Sequence, residues 1–520
     1  MGKILPFGEW LPDQAAFANP GNVNTLNCVP RTPSSYGPFP SAVPNSTALP
    51  AHVCGSYGYR AASGVVSNFA ATQQHLYMQQ TGSPNYSDVS RTTGGAYNTD
   101  APPDGFWTMT SFGNRIIATN YNDDIQTYLI GVDTHFSQLS AGAPRAKYCC
   151  VMRDFLMVGN TNDATDGEVP QRVWWPAIGN PTNWPTPGSA AAIEVQSDFQ
   201  DLQQTDLGAI TGMTGGHISA ADGAVFCERG IYRVSYAGSP AIWDFAVAEG
   251  AAGTTSPLSI VERRLISGAG TSVAVDYYLA SDGFYGFDGS SSVPIGAGKI
   301  DRRFFNELDP TFLQAVAGAY LPELKIILWL YHGPQNNGHY TRALAFNWEL
   351  SRWAPIDLEL TPVDWLDAST YSVAGYTLDE LDVFGPLDGL PFSLDSLAWT
   401  AGNQILSWFD TSFRQNYVNG PSMRAVIETG EQQLFPGRRA RIIKTRPIAE
   451  SAVPVSIAVG TREMTRAPVS YQVDIPENII GDCPQRCTGR YTRFRMTVPA
   501  GANFSHLQGI DVTAVQEGVR

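Results

Sequence analysis

Four carboxylates, Asp198, Asp201, Glu228 and Asp282, are candidates for acid–base chemistry. Hydrolysis of a glycosidic bond needs two carboxyl groups facing each other, one as acid and one as base or nucleophile. A second candidate is the run Asn160-Thr161-Asn162-Asp163-Ala164-Thr165-Asp166-Gly167-Glu168, which has the look of a calcium loop. Ala164 stands where the middle oxygen ligand belongs, so a polar loop is the better reading. A third is the basic run holding Arg438, Arg439, Arg441, Lys444 and Arg446, able to attract phosphates or an acidic neighbour. The histidines (His52, His75, His135, His217, His332, His339, His506) show no metal-ligand spacing. Of the cysteines, Cys28, Cys54, Cys149, Cys150 and Cys227 are scattered, and Cys483 and Cys487 form C-x-x-x-C without further ligands in reach. Buried free thiols are therefore expected, and neither metal nor cofactor. No G-x-S-x-G, H-E-x-x-H, phosphate-binding loop or dinucleotide fingerprint occurs. These residues point away from an enzyme and toward a structural or interaction protein.

The elements that must carry these residues are short strands. Two similar units, HISAADGAVFCERGIYRVSYAG (217–238) and TSVAVDYYLASDGFYGFDGSSSVPIG (271–296), each place Asp-Gly between apolar, alternating segments. Asp222-Gly223 and Asp282-Gly283 predict tight hairpin turns, in which glycine supplies a positive φ. Comparable units follow one another at 67–91, 106–131, 146–184, 315–357 and 369–410. Units of this length with several strands each predict a β-propeller of about six or seven blades over 51–420. The Asp-box spacing of sialidase-like propellers is not matched around Ser281-Asp282-Gly283-Phe284. Residues 1–50, dense in Pro, Asn, Ser and Gly, predict an extended N-terminal arm lying across a surface. Helix is scarce, the best stretch being 302–317, interrupted by Pro310. From 421 to 520 the pattern changes to period-two alternation, as in Arg493 and Arg495 against Phe494 and Met496, and predicts a C-terminal antiparallel β-sandwich.

Composition agrees with an all-β chain: 50 Gly, 36 Pro and only 16% charged residues in 520. The net charge of −15 argues against binding nucleic acid through a basic surface. The charge is uneven. Residues 421–520 hold 13 basic and 9 acidic side chains, whereas the first 420 hold 20 and 39. An acidic body with a mildly basic C-terminal part suggests self-assembly or docking. On this reading Arg438, Arg439, Arg441 and Lys444 are the candidate interface residues. The start, MGKILPFGEWLPD, has no secretory apolar core, and no apolar run is long enough to span a bilayer, so membrane insertion is not expected.

The chain resembles the tail hub or nozzle proteins of short-tailed bacteriophages. The resemblance rests on the Asn/Pro-rich stretch from Asn19 to Asn27, the segment 67–77 with Tyr86 and Asp88-Val89-Ser90-Arg91, and Arg115-Ile116-Ile117-Ala118-Thr119-Asn120. It continues through Ser197-Asp198-Phe199-Gln200-Asp201-Leu202, 226–233 and 281–285, then Pro294-Ile295-Gly296 with Asp301-Arg302-Arg303-Phe304-Phe305. In the last domain it includes Glu428-Thr429-Gly430-Glu431 and Cys483-Pro484-Gln485-Arg486. The motifs are structural, and none is a catalytic signature. The resemblance implies a β-propeller with added domains, assembled as a homo-oligomeric ring, typically of six copies, in the virion tail. Such a ring is built in the host cytoplasm and sits below the portal and its adaptor, with tail fibre or spike proteins as neighbours. Double-stranded DNA passes through its lumen without specific binding, and an acidic lumen would keep phosphates from sticking. The alternative is a receptor- or glycan-binding tail protein with or without glycosidase activity, which should display aromatics and carboxylates together in a cleft.

Overall fold

A computed structural model describes residues 2–518 apart from 81, 102–103, 204–205, 219–220, 265–273, 322–323, 369 and 374–401. The architecture is all-β, and the described residues form seven four-stranded antiparallel sheets and two six-stranded ones. Six of the small sheets, numbered blades 1 to 6 in chain order, are built from consecutive strands, at 53–88, 108–138, 145–201, 210–249, 261–294 and 317–357. The seventh joins Val363–Asp367, Ser407–Asp410 and Gln415–Tyr417 to Val43–Pro44 from the N-terminal region. Inner strands of successive blades lie side by side, and Val363–Asp367 lies against Val53–Arg60, which closes the circle. This is a seven-bladed propeller whose last blade is completed by the start of the chain, so the circle is held shut by backbone hydrogen bonds between sequence-distant strands.

Strands inside a blade are covered on both faces by neighbouring blades, and their sequences show it. Ile326–Tyr331, Val66–Thr72 and Ala221–Cys227 are buried at every position. Fully covered strands read as continuous apolar runs, without the alternation of half-exposed ones. Alternation returns in the sandwich. In Tyr491–Val498, Phe494 and Met496 enter the core, while Arg493 pairs with Glu428 and Arg495 with Asp474.

The first fifty residues do lie across a surface, with Trp10, Leu11, Tyr36 and Phe39 buried. They do so largely as strands of the sandwich and not as an arm. Gly2–Pro6, Cys28–Thr32 and Ser35–Pro38 belong to one sheet of the sandwich, and Asn22–Leu26 to the other. Between and after these strands the chain is bound to the propeller. Trp10 is buried among blade 5 and 6 residues, Asp13 accepts from the amides of Arg302 and Arg303 at 2.9 Å each, and Glu9 pairs with Lys299 at 2.7 Å. Proline density excluded helix but not strand: Pro30 and Pro38 sit in short pairings where one missing donor is tolerated.

Asp282-Gly283 is the expected hairpin turn, joining Ala274–Leu279 to Phe284–Phe287, but Asp222-Gly223 is not a turn and lies inside Ala221–Cys227. The expected positive φ is found at neither glycine. Both are close-approach positions. A Cβ on Gly223 would meet the Thr214 carbonyl at 2.6 Å, and one on Gly283 the Asp301 carboxylate at 2.4 Å. The expected helical stretch is a helix at Asp301–Glu307 followed by a 3-10 turn at Pro310–Ala315. Most of the less regular unit at 369–410, and the start of that at 271–296, lie outside the described residues.

Candidate functional site

The four candidate carboxylates sit on three blades. Asp198 and Asp201 are on the outer strand of blade 3, Glu228 on a turn of blade 4 and Asp282 on a turn of blade 5. Asp198 accepts from the amide of Phe199, Asp282 accepts from the Tyr285 hydroxyl at 2.9 Å, and Glu228 lies 4.0 Å from Arg229. Asp201 is committed to Arg172, whose Nε and Nη2 donate to its two oxygens at 2.6 and 3.0 Å.

The same arginine explains the loop at 160–168. Arg172 Nη1 reaches Asp163 at 3.2 Å and Asp166 at 2.6 Å, and its guanidinium lies 3.9 Å from the centre of the Phe199 ring. A buried guanidinium thus sits where a calcium ion would draw these carboxylates together. The hydrogen bonds that Arg172 donates to Asp201 raise its affinity for the proton, so it stays charged. Among the described residues no cluster of three or more His, Cys, Asp or Glu is arranged to hold a metal. All seven cysteines are free and buried.

Three cavities among the described residues are large or polar enough to be candidate sites. The first, about 480 Å³, opens on the propeller axis and is lined from five blades, by Tyr57, Ser111, Arg153, Gly215, Asp222 and Glu262 among others. Arg153 is held by Asp222 at 2.7 Å and lies over the Tyr236 ring. At the opposite ends of the inner strands, Phe106, Leu258, Tyr340 and Trp365 close on a space of only about 40 Å³. That space holds roughly three waters and no nucleic acid strand. It also brings together residues that sequence spacing could not connect. His52 Nδ1 lies 2.7 Å and His339 Nδ1 3.4 Å from the same oxygen of the buried Asp364. His332 stacks on Phe312 at 4.2 Å, and burial pushes its pKa down to about 4.

The third cavity, about 530 Å³, is a cleft between blades 2 and 3 with Trp174, Trp184, Asp124, Asp163 and Arg145 in its walls. It has the residue types that a sugar-binding cleft would use. Trp174 and Trp184 are only 9% and 8% exposed, however, and Asp124 is taken by Arg145 and Gln138.

The basic run lies on the sandwich. Ala440–Ser451 pairs with Phe504–Gln516 on one side and Cys483–Gly489 on the other. Arg441 and Lys444 point outward on this sheet, while Ala440, Ile442 and Thr445 enter the core. A bulge at Ile443 turns that side chain outward beside them, 45% exposed. Lys444 and Arg446 both hold Asp482, at 2.9 and 3.0 Å, and together keep its carboxyl below the usual range. Arg439 pairs with Glu463 at 2.9 Å, and Arg438 is exposed in the preceding turn. The structure thus places Arg441, 3.9 Å from Glu517, and Lys444, held by Asp482, on one exposed face, Arg439 in an ion pair with Glu463 and Arg438 at the sheet's end. What the sequence did not flag is the neighbouring loop, where Ile479 and Ile480 are 104% and 65% exposed. Adjacent exposed isoleucines were the available signal.

This face lies at the far edge of the sandwich. Its near edge, with Cys28–Thr32 and Asn22–Leu26, rests on Arg352–Asp357, the outer strand of blade 6. Asn27 pins that joint. Its amide donates to the Pro355 carbonyl at 3.1 Å, its Oδ1 accepts from the Asp357 amide at 2.8 Å, and its Nδ2 donates to the Arg424 carbonyl at 3.1 Å. Asn347 adds a bond to the Pro30 carbonyl at 3.0 Å.

No protein-family model and no curated protein matches the chain. Among solved structures it is similar to BamB from Moraxella catarrhalis, 8% identical over 76% of this chain and 94% of that one, with a TM-score of 0.34. It is also similar to SapL1 lectin in complex with alpha methyl fucoside, 11% identical over 59% and 95%, TM-score 0.31. A third likeness is to the computationally designed Ika8 protein, 8% identical over 79% and 100%, TM-score 0.35.

Proposed function

We propose that the chain is a ring-forming structural subunit of a phage tail, a hub or nozzle that surrounds the path of DNA during ejection. The observation that carries this reading is the build of the sandwich. One edge is bound to blade 6 through Asn27 and the N-terminal strands, while the other presents Ile479 and Ile480 beside a basic strand face. An apolar and basic edge on an otherwise acidic molecule is suited to docking, not to remaining in water. The axial space within one propeller is too small for a duplex, so the conduit in this proposal runs between copies. The strong negative charge of residues 1–420 would keep the duplex from adhering to its wall.

The reading is tested by the mass of the purified chain in solution, alone and with portal and adaptor proteins of a short-tailed phage. A closed oligomer that co-sediments with them supports it. A chain that stays monomeric with and without them removes it. The second reading, a glycan-binding tail protein, would place the sugar in the cleft with Trp174 and Trp184. Saturable binding of cell-surface oligosaccharide, lost on Trp184→Ala, would favour that reading instead.

A further inference from the structure

Ile479 and Ile480 are not on a loose tip. The Asn478 side chain accepts from the amides of Ile480 and Asp482, and Arg446 donates to the Ile480 carbonyl at 3.2 Å. Asp482 then ties the loop to Lys444 and Arg446. Two isoleucines are therefore held in water on a fixed loop, next to Lys444 and Arg446. Single exposed apolar residues are ordinary, but an adjacent pair on a fixed loop marks a contact.

A surface of matching chemistry lies on the propeller. After Arg352–Asp357 comes Leu358-Glu359-Leu360-Thr361, in which Leu360 is 98% exposed, the most exposed large apolar residue of the described propeller. Arg342 is the one cation paired with both Asp357 and Glu359, which leaves the loop net acidic. This loop flanks the same blade 6 strand on which the chain's own sandwich rests.

We infer that the far edge of the sandwich docks on the loop 357–361 of a second copy, with Ile479 and Ile480 against Leu360 and the basic face against Glu359. This rests on the ring reading above and specifies its contact. The near edge of each sandwich sits on blade 6 of its own chain, and the far edge then sits at the rim of blade 6 of the next. Every step is the same, so the contact is heterologous and generates a ring when the rotation closes.

The test is cross-linking between full-length chains that carry single new cysteines, Ile479→Cys in one preparation and Leu360→Cys in another, joined by a short bismaleimide. All seven native cysteines are buried, which keeps the background low. A cross-linked product that forms in the mixture and in neither preparation alone is the expected result. Cross-linking of the Ile479→Cys chain to itself would overturn the inference in favour of a symmetric contact. Closed oligomers without a mixed cross-link would overturn it while leaving the ring reading intact, and a wild-type chain that never assembles would remove the ring reading as well. As a second arm, Ile479→Asp with Ile480→Asp should weaken assembly about a hundredfold while the melting temperature of the dilute, unassembled chain stays unchanged, because both side chains are in water in the free subunit. Unchanged assembly would overturn the contact.

Discussion

Replacement of Asn27 should loosen the joint between sandwich and propeller without disturbing either body. Asn27 is buried and has a φ of 55°, in the left-handed region that asparagine tolerates better than most residues. Its side chain satisfies the Asp357 amide and the Arg424 carbonyl, both within the joint. Asn27→Gly keeps the backbone conformation but leaves these two groups unpaired, at about 1–3 kcal/mol each when buried, or about 3 kcal/mol together after partial rescue by water. Asn27→Ala adds about 1 kcal/mol for forcing a Cβ into the left-handed region. At 1.4 kcal/mol per tenfold, amide exchange through local opening should rise about a hundredfold in the glycine variant and about a thousandfold in the alanine variant. Hydrogen exchange read by mass spectrometry should confine the change to Arg352–Asp357 and Ala425–Thr429, with the strands of blades 2 and 3 unaffected. A change below about threefold at the joint, or one spread evenly over the chain, would refute the reasoning that Asn27 couples the two bodies.

Arg172→Ala should destabilise blade 3 by about 2–3 kcal/mol, because it leaves three carboxylates crowded, two of them partly solvated. Millimolar calcium should restore part of the loss, whereas the melting temperature of the wild type should not respond; a variant as stable as wild type would contradict the assigned role of Arg172. Burial, with the carboxylates of Asp13 and Asp282 close by, raises the pKa of Asp301 to about 6. A carboxyl raised in the folded state costs stability as it ionises, so stability should fall as pH rises from about 4 to about 6. Asp301→Asn should therefore stabilise the protein by about 1 kcal/mol at pH 8, allowing for solvent on one side of the group, and flatten that dependence in thermal melts. His332, lowered by burial to about 4, works in the opposite sense. Its contribution is complete above the ordinary histidine range and is lost as pH falls from about 6.5 toward about 4, by up to ~3 kcal/mol. His332→Phe should remove that acid-side slope from denaturation midpoints measured between pH 4 and 7.

The blades were legible because a strand covered on both faces must be apolar throughout: IILWLY at Ile326–Tyr331 and the run at Ala221–Cys227 carry that signal locally. Alternation gave the sandwich away in the same manner at Tyr491–Val498. The N-terminal strands were not legible, since Val43–Pro44 spans two residues and its partner, Gln415–Tyr417, lies some 370 positions away. Asp222-Gly223 misled because glycine is needed there for close approach and not for its φ, and sequence does not separate the two uses. The fates of Asp163, Asp166 and Asp201 depended on Arg172, whose partners are gathered only when a hairpin and the outer strand of blade 3 come together. The convergence of His52, His332 and His339 near Asp364 required closure of the whole circle. Of the basic run, the alternation placed Arg441 and Lys444 outward, but Ile479 and Ile480 became part of the face only through the ion pairs of Asp482.

The most direct test of the central claim is electron microscopy of the purified chain, sorted into two-dimensional class averages. Closed rings of identical subunits around a hole wide enough for a duplex, with the sandwiches forming one continuous layer, are the expected result. Particles that remain single propellers with an attached sandwich, at concentrations where tail proteins assemble, would contradict the claim.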